Sequence, residues 1–271
     1  MDRLYWWEGR WTGQPAPAPC RVTDWMVGGL GVFETILVAA GRVPFVDRHL
    51  ARAAEGLHRL ELPLPQDFER IPRAFGEGIA RLSLDRGGAR AYFLAGPGGS
   101  SCLLELFRDQ PWLAAEREAG IAVGIETELR VDPDSPLCGV KTIGRSLYSW
   151  IARRAQGRGW RECLILNRRG ELVEALSSNL FWVQAGCLVT PHLSCGGLPG
   201  ITRELVLETA ARLGWTVEQG RHAPHALDAA AEVFLSGTLK GILPVVEIAG
   251  RPVADRQPGP LTRRLQQQFP R

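Results

Sequence analysis

Glu174-Ala175-Leu176-Ser177-Ser178-Asn179-Leu180-Phe181-Trp182, followed by Leu198-Pro199-Gly200-Ile201-Thr202-Arg203, is the stretch on which the fold turns. A carboxylate precedes an apolar run. A Gly-Ile-Thr tripeptide then opens a helical pattern. Upstream, after a Pro-rich turn, lies Gly139-Val140-Lys141-Thr142, and downstream lies Ser236-Gly237-Thr238. Lysine is scarce, with Lys141 and Lys240 the only two in the chain. One amine, one carboxylate and two Gly/Thr anion sites therefore follow one another in order.

Each residue has an ordinary reading beside a chemical one. A lysine closing an extended segment is most often a solvated charge. Cys138, Gly139, Val140 and Ile143 around Lys141 are small or apolar, which permits the partial burial that activates an amine. Glu174 reads either as a strand-edge carboxylate paired with an Arg or as the partner of a protonated ring nitrogen. Gly200-Ile201-Thr202 reads either as plain N-capping or as a phosphate site, because helix N-termini present unpaired N–H groups and a positive dipole end. Ser236-Gly237-Thr238 is equally a turn or a second donor set, and Ser177 and Ser178 share that ambiguity. Arg52, on a helical segment, is a solvated charge or a fork aimed at phosphate. Together, amine, carboxylate and paired anion sites suit the aldehyde, ring nitrogen and phosphate of pyridoxal 5'-phosphate (PLP).

Bulk properties narrow the class. A chain of 271 residues makes one large domain or two modest ones. Hydrophobic residues at 45% and charged ones at 23% allow a sizeable core. The balance of 32 basic and 29 acidic residues gives no electrostatic reason to expect nucleic acid. Six cysteines have neither C-x-x-C nor zinc spacing, so reduced thiols are expected, with Cys195 a bystander and no metal site. The N-terminus does not read as a signal peptide, and no run reaches the ~20 apolar residues of a spanning helix. A soluble, cytoplasmic protein without membrane partners is the expectation.

Periodicity organises the rest. Strands are expected over Leu4–Trp7, Gly31–Val38, Ala89–Leu94, Ser101–Phe107, Gly120–Glu126, Glu162–Asn167, Leu180–Val183, Cys187–Thr190, Glu232–Ser236 and Leu243–Ile248. Gly41-Arg42 reads as a hairpin turn into Val43-Pro44-Phe45. Helices are expected from Asp47 as N-cap, over Asp67–Leu84, over Thr142–Arg158, over Thr202–Leu213 with Leu205, Thr209 and Leu213 on one stripe, and over Gly259–Phe269. The polar stretch near Pro111 marks the junction, giving a small domain at 1–113, a linker at 114–119 and a large domain at 120–271.

Taken together, these motifs resemble the class IV aminotransferases, the fold-type IV PLP enzymes. That family includes D-amino-acid transaminases, branched-chain transaminases and 4-amino-4-deoxychorismate lyases. The resemblance runs from Gly31-Val32-Phe33-Glu34-Thr35 to Pro258–Gln266. It implies an α+β fold of two domains: a small N-terminal α/β domain and a larger, barrel-like C-terminal α/β domain, with the cofactor between them. It implies Lys141 as the Schiff-base lysine and proton shuttle, and Glu174 as partner of the pyridine nitrogen. It implies a phosphate cup of Arg52, Ile201 through its backbone, Thr202 and Thr238, with Gly200 also cofactor-binding, Leu198 behind the ring and Ser177 and Ser178 lining the site. A homodimer acting on a small amino substrate is also implied.

The sequence departs from the family in three places. Gly28-Gly29-Leu30-Gly31 replaces an aromatic-Gly-Asp-Gly run. Gly144 stands where an Asn is common. Ala95-Gly96-Pro97-Gly98-Gly99 lacks the carboxylate-binding Arg and His of D-amino-acid transaminases. The short chain, Val32-Phe33-Glu34-Thr35, the Asn179–Val183 run and that missing pair look more like the lyases. A D- or branched-chain amino-acid transaminase is the alternative, and a non-catalytic PLP-binding protein is a third.

Overall fold

The computed structural model describes residues 3–7, 9–13, 29–96, 99–108 and 112–269. The Pro-rich stretch at 15–19, Cys20, Gly28, Pro97, Gly98 and the junction residue Pro111 lie outside the described residues. The chain forms two compact units.

The first unit comprises Met1–Gln110 and Val140–Arg145. Its antiparallel sheet has the order β2-β1-β5-β4-β3, from Arg10–Thr12 (β2), Arg3–Trp7 (β1), Gly99–Arg108 (β5), Gly87–Gly96 (β4) and Gly31–Val38 (β3). β3 alternates as a half-buried strand should, with Val32, Glu34, Ile36 and Val38 inward. Its inward row therefore carries a carboxylate, which needs partners. Two helices pack on this sheet, α1 (Val46–Arg59) and α2 (Ile71–Leu82).

Three local expectations differ here. The cap of α1 is Phe45 in the left-handed region (φ 59°), and Asp47 falls in the first turn. Asp47 still meets the positive end of the helix dipole there. After the tight turn only an Ala39–Arg42 bridge forms, so Val43–Phe45 is no strand. The helix expected from Asp67 begins as a 3-10 turn, Phe68–Arg70. The α-helix starts at Ile71, with Pro72 in the first turn where its missing N–H costs nothing.

Val140–Arg145 belongs to this unit because it pairs with β3. The Phe33 N–H donates to the Lys141 carbonyl at 3.0 Å, and the Ile143 N–H donates to the Gly31 carbonyl at 3.0 Å. A Cβ at Gly31 would lie 2.2 Å from the Phe93 carbonyl oxygen, so only glycine permits that approach. The same bonds keep residues 142–145 out of the helix expected from Thr142. That helix, α4, spans Ser146–Gly157.

The second unit comprises Pro111–Gly139 and Ser146–Arg271. Residues 114–119, read as a linker, lie in helix α3 (Trp112–Ala119), which packs on β13 (Gly241–Ile248). The remaining strands are β6 (Ile121–Val131), β7 (Glu162–Asn167), β8 (Leu172–Ala175), β9 (Asn179–Gln184), β10 (Cys187–Pro191), β11 (Val217–Gly220), β12 (Glu232–Gly237) and β14 (Arg251–Pro252). Their mixed sheet has the order β11-β10-β9-β12-β13-β6-β7-β8, with β14 on β13. It curls as a half-barrel, and β8 comes back against β9.

Both faces of this sheet are covered, which explains the unbroken apolar run Leu180–Val183. Leu180 and Trp182 join Leu235 and Leu243 inside the curl. Phe181 stacks on Phe234, with centroids 5.1 Å apart, beneath helices α5 (Ile201–Arg212) and α6 (Pro260–Gln268). The buried face of α5 is Thr202, Arg203, Val206, Thr209 and Ala210, whereas Leu205 and Leu213 are only half-buried. Of the expected stripe of Leu205, Thr209 and Leu213, only Thr209 lies on this face.

Candidate active site

In the first unit the site begins with the Lys141 segment. With its carbonyl bound to β3, Lys141 holds its ammonium 4.5 Å from the Phe33 ring centroid, in cation–π range. Next to Phe33, the inward Glu34 meets α1. His49 and Arg52, three residues apart on one helix face, both reach it. Arg52 donates from Nε to Oε1 at 2.8 Å and from Nη2 to Oε2 at 2.6 Å, while His49 Nδ1 lies 2.8 Å from Oε2. Arg52, expected in a phosphate cup, thus commits two nitrogens to a buried carboxylate.

Burial alone would raise the Glu34 pKa. The hydrogen bonds from His49 and Arg52, with their charges, outweigh it and hold the carboxyl below its ordinary value. A depressed folded-state pKa stabilises fully above the unfolded value, and that contribution disappears as pH falls through the folded one. Glu34→Gln is therefore expected to cost about 3–5 kcal/mol near neutrality. Urea melts from pH 7 to 3 should show the gap from wild type closing below the ordinary carboxylate range. A constant gap over that range rejects the assignment.

In the second unit Glu174 is the penultimate residue of β8, and its carboxylate is held by two donors. Oε2 accepts from the Leu198 backbone N–H at 3.0 Å and from Asn179 Nδ2 at 3.0 Å. Asn179 also donates to the Leu198 carbonyl at 2.9 Å, so one amide ties Glu174 to the Leu198-Pro199-Gly200 turn. A Cβ at Gly200 would sit 2.0 Å from Asn179 Oδ1, an anchored atom, which explains glycine at this position. Gly200 is extended and caps α5 without a side-chain bond. The N–H groups of Ile201 and Thr202 open the helix, where no intrahelical acceptor exists for them. Arg203 is buried, and its guanidinium is committed to the Pro191 carbonyl and Gln219. Burial raises the Cys195 thiol, as befits a bystander.

Ser177 and Ser178 sit at the tip between β8 and β9, and Thr238 sits at the tip between β12 and β13. Both serine hydroxyls lie against Glu162 and Lys240. Sequence reading gave no role to Asn179, Glu34, His49, Glu162 or Lys240. Asn179 stood in the quoted run and Lys240 was one of two lysines, so a signal existed for both. Nothing local marked Glu162 or His49.

The residues present fit PLP. A half-buried carboxylate fixed by a backbone N–H and an amide is a rigid partner for a ring nitrogen, and a helix start without a side-chain capping bond is a donor set for phosphate. A half-barrel unit carrying these groups and a smaller α/β unit bearing the lysine define a PLP enzyme of fold type IV. The profile of the family described as Amino-transferase class IV matches residues 31–248. The chain belongs to that family.

Its relatives agree. The branched-chain-amino-acid aminotransferase of Escherichia coli K12 is 30% identical, over 89% of this chain and 83% of its own. The aminodeoxychorismate lyase of Vibrio harveyi is 29% identical, over 88% of this chain and 90% of its own. The crystal structure of the E. coli branched-chain enzyme superposes with a TM-score of 0.90 at 26% identity, covering 98% of this chain and 93% of that one. Among the described residues, no helix is long and apolar enough to cross a membrane.

Proposed function

We propose that this enzyme uses the Lys141 amine to take the Cα proton of an amino substrate, and that its reaction is the cleavage of 4-amino-4-deoxychorismate to 4-aminobenzoate and pyruvate. The observation carrying the amine chemistry is the Glu174 carboxylate, fixed by the Leu198 N–H and the Asn179 amide. When bound, PLP supplies an electrophilic carbon for the amine and a ring that accepts the electron pair of the broken Cα–H bond. Glu174 holds the proton on the ring nitrogen. The Ile201 and Thr202 N–H groups beyond Gly200, with Thr238 and Arg52, bind the phosphate. Leu198 backs the ring, and Ser177 and Ser178 shape the wall. Lys141 Nζ accepts the Cα proton. In cleavage that electron pair expels the β-linked enolpyruvate, which takes up a proton and becomes pyruvate.

The Vibrio harveyi relative, matched over 90% of its length, supports cleavage. So does an Ala95–Gly99 loop without Arg or His. The E. coli relative supports a second reading, transamination of branched-chain amino acids, in which Lys141 returns the proton to the cofactor rather than expelling a group. Two assays on the holoenzyme separate them: pyruvate release from 4-amino-4-deoxychorismate, and spectral half-reactions with L-branched-chain and D-amino acids. Pyruvate formation with slow half-reactions is expected. Rapid conversion by amino acids without pyruvate rejects cleavage, and inertness towards every amine rejects both in favour of a non-catalytic PLP protein.

A homodimer is proposed with this reading. Leu147 and Trp150, three residues apart on α4, are 47% and 49% exposed, an apolar face that a second copy would cover. Sedimentation as a monomer at micromolar concentration rejects it.

A further inference from the structure

Two hairpin tips in the second unit are fastened together by one ammonium. β12 and β13 pair up to Gly237 and Gly241, so Thr238-Leu239-Lys240 is the first tip. The Ala175 N–H donates to the Ser178 carbonyl at 2.7 Å, so Leu176-Ser177-Ser178 is the second, flanked by the strand ends that carry Glu174 and Asn179. Lys240 Nζ crosses from the first tip to the second. It donates to Ser177 Oγ at 2.6 Å, to Ser178 Oγ at 3.3 Å and to Glu162 Oε1. Ser177 Oγ also donates to Glu162 Oε1. The tips approach closely, since a Cβ at Gly237 would lie 3.4 Å from Ser178 Oγ.

An ammonium has three N–H donors, and Lys240 uses all three within this cluster. Glu162 opens β7 with its side chain 3% exposed, and its Oε2 is buried without a hydrogen-bond partner among the described residues. Taking the Glu162 charge out of water, with Lys240 only half-buried beside it, is costly, and a well-packed apolar pair often stabilises a fold as well or better. The property an apolar pair lacks is direction. Two bonds to the serines of the second tip, with a third to Glu162 on β7, set the register between the tips, whereas methyl contacts leave them free to slide.

We infer that Lys240 and Glu162 are positioning residues that hold Thr238 in place relative to Glu174 and Asn179. In doing so they set the spacing between the phosphate-binding and ring-nitrogen-binding ends of the PLP site. This rests on the reading in which Thr238 and Glu174 hold the cofactor.

The test is a double-mutant cycle on PLP affinity, read by fluorescence quenching of the apo protein, with apo melting temperatures alongside. E162Q/K240M removes both charges together, so no buried charge is left alone. It should melt within a few degrees of wild type and bind PLP about tenfold more weakly. T238A should weaken binding by a similar factor in the wild-type background, but by about threefold or less on E162Q/K240M, because groups acting as one unit are not additive. Wild-type affinity in E162Q/K240M, or an equal T238A penalty on both backgrounds, overturns the positioning role. Wild-type affinity in T238A itself rejects the underlying site reading and this inference with it.

Discussion

The Lys141→Ala protein is expected to fold, to retain PLP by its other contacts, and to turn over at least ~10³-fold more slowly than wild type. The fold should survive because the segment is held by its backbone. Its carbonyl accepts from Phe33, and Ile143 donates to Gly31. The lysine side chain is only half-buried, so alanine opens no core cavity. What disappears is the one amine held 4.5 Å from the Phe33 ring, and with it the proton carrier proposed for Cα. Borohydride treatment followed by mass measurement gives an independent readout. Wild type should gain the mass of the cofactor and the variant should not. Turnover within tenfold of wild type, or a borohydride adduct on the variant, would remove Lys141 from the chemistry.

Glu174→Gln is expected to lower kcat by about 10²–10³-fold while leaving PLP affinity within about tenfold. The amide oxygen can still accept from the Leu198 N–H and from Asn179, so the geometry of the turn is retained. The negative charge is lost. A carboxylate favours the protonated ring nitrogen and an amide does not, so the ring loses its pull on the electron pair at Cα. KM should move far less than kcat, because the missing interaction strengthens as charge develops on the ring. A variant keeping half of wild-type kcat would show that Glu174 has only a structural part.

The elements most legible in the sequence are those whose stability is local or whose burial is two-sided. β3 and β7 run over the expected residues, since β-branched and apolar runs bounded by glycine or charge leave few alternatives. The start of α4 was not legible. Gly144 is the one local signal against helix in Thr142–Arg145, and a single glycine is tolerated in helices; the bonds that hold the segment extended go to β3, far away in sequence. Residues 114–119 read as polar linker because charge dominates their composition, yet packing on β13 makes them helical. Leu205 within α5 and Leu213 just past its end are large apolar residues of the expected stripe. The buried face of α5 nevertheless belongs to Val206, Thr209 and Ala210, because the space beneath is filled by Phe181 and Phe234.

For the site, the sequence by itself determined the chemical inventory: a rare lysine, a carboxylate before an apolar strand, and a Gly-Ile-Thr helix start. Those properties belong to single residues or to one turn of chain. Tertiary structure decided the partners. Glu34 became an ion-pair acceptor only when α1 brought His49 and Arg52 onto its face of the sheet. Lys240 became a fastener only when two hairpins placed their tips side by side. A hydrogen bond depends on distance and angle, and between residues far apart in the chain those are set by how the sheets and helices pack.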